Sequence, residues 1–157
     1  MLGILLGRGE PDFVSEVEVP LVPARVMYAG LNSWSPVEDE VIKSLGLRNA
    51  GSDSLAETSS PVLDWIVGEG IEHLAIHFDL DVLDPSAFRP LTFNKPGLPP
   101  DAFAGVPRGR MLPDQVVRLL QDVDRACDIV GLAITEHLPW EAIATRNLLR
   151  KLPLLAD

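Results

Sequence analysis

Two aspartates in the segment HFDLDVLDP (residues 77–85) are the residues of this sequence best suited to chemistry. They follow the apolar run 74–76, so a buried strand is expected to end in two carboxylates. An ionised carboxylate in an apolar setting has to be paired, protonated or bound to a metal ion. Because alternate residues of a strand point to the same side, Asp79, Asp81 and, one step back, His77 are predicted to share one face.

Two interpretations of this acidic pair follow from the residues alone. Like charges so close together repel unless a cation lies between them, and hard divalent ions prefer oxygen ligands of this kind. Alternatively, the carboxylates only cap the following turn, where Asp84-Pro85 is an ordinary turn dipeptide. The apolar character of the strand favours a metal site.

The elements that position the pair are predicted from local patterns. Apolar runs at 25–30, 73–79 and 129–135 indicate strands, and their near-continuous hydrophobicity is typical of strands covered on both faces in a parallel sheet. Four helices are predicted between and after them: 35–46, from about Ser60 to Gly68 or Gly70, 113–127 and 141–152.

The end signals of these helices are specific. Ser35 with Glu38 forms a capping box, and Gly46 is the stop. The stripe of apolar residues in 113–127 predicts one buried face, and in the last helix Ile143 and either Leu148 or Leu149 are predicted to point inward.

Alternation of strands and helices predicts one domain over residues 1–157, of the three-layer α/β/α class with a mainly parallel sheet. The segment 84–112 has six prolines, three glycines and no periodicity. A loop of that length in a compact domain is usually functional, and it begins at the carboxyl ends of the strands, where open α/β sheets place their sites.

Composition excludes several classes of protein. Hydrophobic residues make up 46% and charged residues 23%, which is typical of a globular domain, and no apolar run is long enough to cross a membrane. The net charge of −10 disfavours nucleic acid and tolerates a cationic substrate. The single cysteine, Cys127, and the lack of a secretory signal lead us to expect a cytoplasmic protein.

Haloacid-dehalogenase phosphatases also carry Asp-x-Asp after an apolar strand, but their motif continues with Gly-Thr where this chain has Val82-Leu83. FDLDVLDP instead resembles the signature of the arginase and agmatinase (ureohydrolase) family. GVPRGRMLPDQVVRLLQ is similar to that family's Gly-rich turn and helix, and IVGLAITEHLPWEAIATRNLLRKLPLL to its closing strand and last helix. The opening MLGILLGRGEP also resembles a family helix.

The resemblance implies a function. Family members hydrolyse a guanidinium group of a small substrate and release urea, using two Mn²⁺ ions that activate a water molecule. Asp79 would bridge both ions, Asp81 would bind one, and Asp84 would support the ligands or the turn. Glu136 would hold the substrate guanidinium, because a carboxylate accepts two parallel N–H bonds. His77 is expected to support a ligand.

The resemblance also has gaps. The family's Gly-Gly-Asp-His and Asp-x-His-x-Asp motifs are absent, and Arg110 and Leu112 replace a Gly and a Thr. His137 is interpreted as structural, and no residue of this chain is assigned as catalytic. We therefore expect the C-terminal half of a ureohydrolase domain with a partial manganese site and little activity alone. Three alternatives remain. The chain would be the product of a truncated gene, or one subunit of a split enzyme, which pairs with a complementary N-terminal half or with copies of itself. The third alternative is a non-catalytic interaction or regulatory module.

Overall fold

The structure is a computed structural model that describes residues 2–99 and 101–156. Met1, Pro100 and Asp157 lie outside the described residues, so the predicted loop 84–112 is described on either side of Pro100. The four described strands are β1 (Met27–Ala29), β2 (Arg48–Ala50), β3 (His73–Asp79) and β4 (Asp128–Thr135). The described helices are α1 (Leu2–Leu5), α2 (Pro11–Val14), α3 (Pro36–Leu45), α4 (Ser52–Leu55), α5 (Ser60–Gly68), α6 (Pro113–Ala126) and α7 (Ala142–Leu149).

The parallel α/β class is confirmed, but the strands form two ladders rather than one sheet. β1 pairs with β2 and β3 pairs with β4, both in parallel. β2 was not predicted, because a three-residue strand with Arg48 and Asn49 exposed has no hydrophobic pattern. The strand predicted at 25–30 is shorter at both ends, since β1 covers only 27–29 and residues 23–25 form a 3₁₀ turn.

Helix boundaries follow the local signals. In α3, Ser35 accepts a hydrogen bond from the Glu38 backbone and Glu38 accepts one from the Ser35 backbone, while Gly46 ends the helix at φ 64°. In α5 the N-cap is Ser59, one residue earlier than predicted, and the helix ends at Gly68. The buried stripe of α6 is confirmed for Val116, Leu119, Leu120 and Val123, and Val117 is buried with them. Cys127, the last residue of the predicted stripe, is the C-cap and is only partly buried.

The last helix, α7, is shorter than predicted and is turned differently. Leu148 is buried as expected, but the prediction for Ile143 is wrong, since 69% of this residue is exposed. The helix starts only after Glu141, which has a left-handed backbone. The turn at Glu141, and not the sequence pattern, therefore decides which side of α7 faces the core.

One hydrophobic core joins both ladders to α5 and α6, with Trp65 and Ile66 of α5 and Phe78 of β3 among its members. The prediction that β3 is covered on both faces is wrong. Its even-numbered residues, such as Phe78, face the core, whereas its odd-numbered residues, His73, Ala75, His77 and Asp79, are exposed. No helix in the described part of the chain is long and apolar enough to span a membrane.

Candidate metal and substrate site

The acidic pair lies where β3 turns sharply. The strand ends at Asp79, and residues 80–82 form a 3₁₀ turn. The prediction that Asp81 lies on the same strand as Asp79 is therefore wrong. The Asp79 carboxylate accepts a hydrogen bond from the Asp81 backbone N–H, with a distance of 2.9 Å between Oδ1 and N. Turn capping, the alternative to metal binding, is therefore present for one oxygen of Asp79. It leaves the other Asp79 oxygen and the whole Asp81 carboxylate for another role.

Asp81 is the electrostatically unusual residue of the pair. Its Oδ1 atom is buried and has no hydrogen-bond partner among the described residues. Burial, followed by the negative charges of Asp79 and Glu136, raises the pKa of Asp81 from 3.8 to about 6. A buried carboxylate oxygen with no donor costs free energy unless a proton or a cation satisfies it.

Glu136 lies at the same end of the β3–β4 ladder, as predicted. Asp79 is in register with Thr135, the last residue of β4, and Glu136 follows directly. Its backbone has φ 60°, a left-handed conformation that is uncommon for a residue other than glycine. Such strain is maintained only when the surroundings determine it, and it is found most often at functional sites. The Glu136 side chain is exposed.

The two residues expected to support ligands have different neighbours. His77 shares the exposed face with Asp79, and its Nε2 lies 3.2 Å from Thr135 Oγ1 on the paired strand. The Asp84 carboxylate instead accepts hydrogen bonds from the backbone N–H and the hydroxyl of Ser86, both at 2.7 Å. These bonds lower the pKa of Asp84, so it is held as a charged turn-stabilising residue. The ligand-supporting role predicted for His77 remains a prediction.

The loop after β3 contacts the backbone of the turn that carries Asp81. Leu83 and Met111 form an isolated parallel bridge, and the Met111 backbone N–H donates to Val82 O at 3.1 Å. Gly109 passes so close that a Cβ on it would lie 2.2 Å from Asp81 O and 2.4 Å from Val82 O. Only glycine fits this approach. The sequence signal was the Gly-rich segment before α6, but its partner could not be read from the chain.

A second contact holds the segment that carries Glu136. The Arg89 Nε atom of the loop donates to Glu141 Oε1 at 2.8 Å, and Trp140 Nε1 donates to Arg89 O at 2.9 Å. Glu141 has φ 54°, so the segment 136–141 begins and ends in left-handed residues. The loop 84–112 thus contacts both the acidic turn and the Glu136 segment, which supports the prediction that it belongs to the site.

The residues fit a partial metal site but not a complete binuclear one. Within residues 2–99 and 101–156, no three His, Cys, Asp or Glu side chains lie close enough together to hold a metal ion. Asp79 and Asp81 nevertheless offer adjacent oxygen ligands, one of them buried without a partner. That donor set suits one hard divalent cation with water completing its coordination.

Comparison with solved structures identifies the fold. The chain is similar to Bacillus subtilis arginase, with a TM-score of 0.75 and 19% identity over 99% of this chain and 55% of that one. Entamoeba histolytica arginase in complex with L-ornithine gives 0.74 and 20%, over 96% and 49%. Proclavaminate amidino hydrolase from Streptomyces clavuligerus gives 0.56 and 20%, over 81% and 38%. No protein-family profile and no curated protein sequence matches the chain.

These similarities show that the chain has the arginase fold. It spans about half the length of the two arginases, as expected for part of such a domain. Identities of 19–20% establish the fold and not the activity, which the site residues have to support.

Proposed function

We propose that this chain is the carboxylate-bearing part of a manganese-dependent ureohydrolase, an enzyme that hydrolyses a guanidino C–N bond and releases urea. One observation carries the proposal. In an arginase fold, Asp79, Asp81 and Glu136 lie at one end of a parallel ladder, and Asp81 has a buried oxygen with no hydrogen-bond donor among the described residues. Ligands bind at the carboxyl ends of the strands in open α/β sheets.

Each residue has a role in this proposal. Asp79 and Asp81 would hold Mn²⁺, which when bound would supply an activated water molecule as nucleophile. Glu136 accepts two N–H bonds from the guanidinium of the substrate. His77 and Asp84 keep the strand end and the turn in place.

The substrate class follows from charge. The chain carries a net charge of −10, and the negative charges of Asp79 and Glu136 act on Asp81, so a small cationic guanidino compound is favoured over an anionic one. The E. histolytica arginase was crystallised with L-ornithine, an amino acid with a cationic side chain. Arginine and agmatine are the substrates to test first.

Calorimetric titration with MnCl₂ tests the metal part of the proposal. We expect a single weak site with a dissociation constant on the order of micromolar to millimolar, because few of the ligands come from the protein. The Asp79→Ala variant should lose this binding, whereas Asp64→Ala, which removes an exposed carboxylate from α5, should keep it. An unchanged manganese isotherm for Asp79→Ala would show that the acidic pair is not the site.

Activity gives a separate test. The purified 157-residue chain should release no urea from arginine or agmatine above the buffer rate, because the described residues do not form a closed metal centre. Urea release at ordinary enzymatic rates would overturn the partial-site argument.

The absence of a three-ligand cluster in the described residues also favours a second function, a non-catalytic interaction or regulatory module. It predicts no manganese binding at all, together with recovery of a stable stoichiometric protein partner when the tagged chain is purified from its native cells. Manganese binding that depends on Asp79 would exclude it.

A further inference from the structure

The loop 84–112 carries a local excess of positive charge beside the acidic site. It has four basic residues and two acidic ones, whereas the whole chain has 13 basic residues and 23 acidic ones. Carboxylates of neighbouring segments neutralise two of the four, since the ion pairs of Arg89 and Arg110 measure 2.8 Å and 3.0 Å. Lys95 and Arg108 form no ion pair or side-chain hydrogen bond with a described residue.

The Arg108 side chain is exposed but held in place by an aromatic ring. Its Cζ atom lies 5.5 Å from the centroid of the Phe93 ring, a distance at which the ring attracts a cation. Phe93 is itself packed edge-to-face against Phe103, with 5.1 Å between the ring centroids. The ring contact uses none of the five N–H donors of the guanidinium, so all of them are left for another group.

The Arg108 backbone is fixed at the carboxyl ends of both ladders. Asn32, three residues after β1, donates from Nδ2 to Arg108 O at 3.3 Å. The next residue, Gly109, is the one whose Cβ would lie 2.2 Å from Asp81 O. Because consecutive Cα atoms are 3.8 Å apart, the Arg108 Cα lies within about 8 Å of Asp81 O. Arg108 is therefore located at the strand ends that carry the proposed metal and substrate site.

We propose that Arg108 binds a carboxylate of the substrate, so that the site favours guanidino compounds with a carboxylate over guanidino amines that lack one. The inference rests on the proposed function, in which Glu136 holds the guanidinium at the other end of the same molecule. The planar guanidinium of arginine matches both oxygens of a carboxylate. Because Phe93 already orders the long side chain, less conformational entropy is lost on binding.

The charges around the site favour a ligand with opposite charges at its two ends. The net charge of −10 repels a simple anion, which also gains nothing from Glu136. A guanidino amine gains from Glu136 but has no group for Arg108. Arginine and agmatine differ by one carboxylate alone, so this pair isolates the contribution of Arg108.

Titration of the ¹⁵N-labelled full chain, followed by NMR at pH 7, tests the proposal. The ligands are arginine, agmatine and argininamide, in which a neutral amide replaces the carboxylate. We expect arginine to shift the Arg108 Nε–H signal and the Glu136 backbone amide signal with one dissociation constant. Agmatine and argininamide should shift the Glu136 signal alone and bind about fivefold more weakly, because an exposed ion pair contributes modestly to affinity.

Three variants separate the charge of Arg108 from its position. Arg108→Gln should bind arginine as weakly as agmatine, with no loss of agmatine affinity. Arg8→Gln removes an exposed arginine outside the loop and should change neither affinity. Phe93→Leu keeps the charge but removes the ring, so it should weaken arginine binding about twofold and leave agmatine binding unchanged. Unchanged backbone signals outside the loop show that each variant is folded.

Other outcomes overturn the inference. Equal affinities for arginine and agmatine, or arginine binding that survives Arg108→Gln, would show that Arg108 does not bind the substrate. Acetate that shifts the Arg108 signal with the affinity of arginine would make this residue a general anion contact. A Glu136 signal that no ligand shifts would also refute it.

Manganese binding is measured by calorimetry without these ligands, so the two proposals fail separately. Loss of the Asp79-dependent metal site, with selection by Arg108 retained, refutes only the metal part of the proposed function. Asp79-dependent manganese binding without selection by Arg108 refutes only the present inference.

Discussion

Replacement of Asp81 by asparagine should stabilise the metal-free chain at neutral pH. The pKa of Asp81 is raised from 3.8 to about 6, mainly by burial and then by Asp79 and Glu136. Between those two pH values the folded chain binds more protons than the unfolded chain, so stability falls as pH rises through the window. At pH 7 the ionised Asp81 carboxylate destabilises the native state. Asp81→Asn removes that charge with a side chain of nearly the same shape.

The size of the effect follows from the shift. A change of this size corresponds to about 3 kcal/mol for a fully buried group. Asp81 is only partly buried, so water screens its charge, and we expect a gain of about 1–2 kcal/mol in the free energy of unfolding at pH 7. At pH 4 the difference should be near zero, because Asp81 is then largely protonated in the native chain.

Urea unfolding followed by tryptophan fluorescence, with EDTA present, measures this difference from pH 4 to pH 8. Asp64→Asn, which removes an exposed charge from α5, controls for the change in net charge. A less stable Asp81→Asn variant at pH 7, or a difference that does not vary with pH, would refute the account of Asp81. Added Mn²⁺ should stabilise the unchanged chain and not the Asp81→Asn variant.

Two further predictions concern the loop contact and the state of the isolated chain. Gly109→Ala should destabilise the fold by about 2 kcal/mol or more, since its Cβ would overlap backbone atoms of Asp81 and Val82. Gly68→Ala is the control: its Cβ would meet nothing within 4 Å, so this variant should be neutral or slightly stabilising. Urea midpoints of the two variants check this, and equal midpoints would contradict the contact. Without a partner, the chain should associate with itself, because strand edges and apolar side chains such as Val130, 60% exposed, are uncovered. Light scattering over a concentration series measures this association, and a strictly monomeric species with one sharp unfolding transition would contradict it.

Local sequence signals determined the parts of this structure that depend on near neighbours. The capping box of Ser35 and Glu38, the stop at Gly46 and the buried stripe of α6 each involve residues within one or two helical turns, so pattern alone located them. The same holds for the acidic pair at the end of an apolar strand. The carboxyl-end position of Glu136 also followed from sequence, because parallel strands of one sheet end on the same side.

Tertiary structure alone decided the rest, because burial and backbone strain depend on which elements pack together. Apolar residues predicted β3 to be covered on both faces, yet the face of Ala75 and His77 is exposed, since no described element packs over it. Ile143 points outward because the left-handed turn at Glu141 sets the phase of α7. The close passage of Gly109 over the turn at Asp81 joins residues 28 positions apart, and no local pattern contains a contact of that kind.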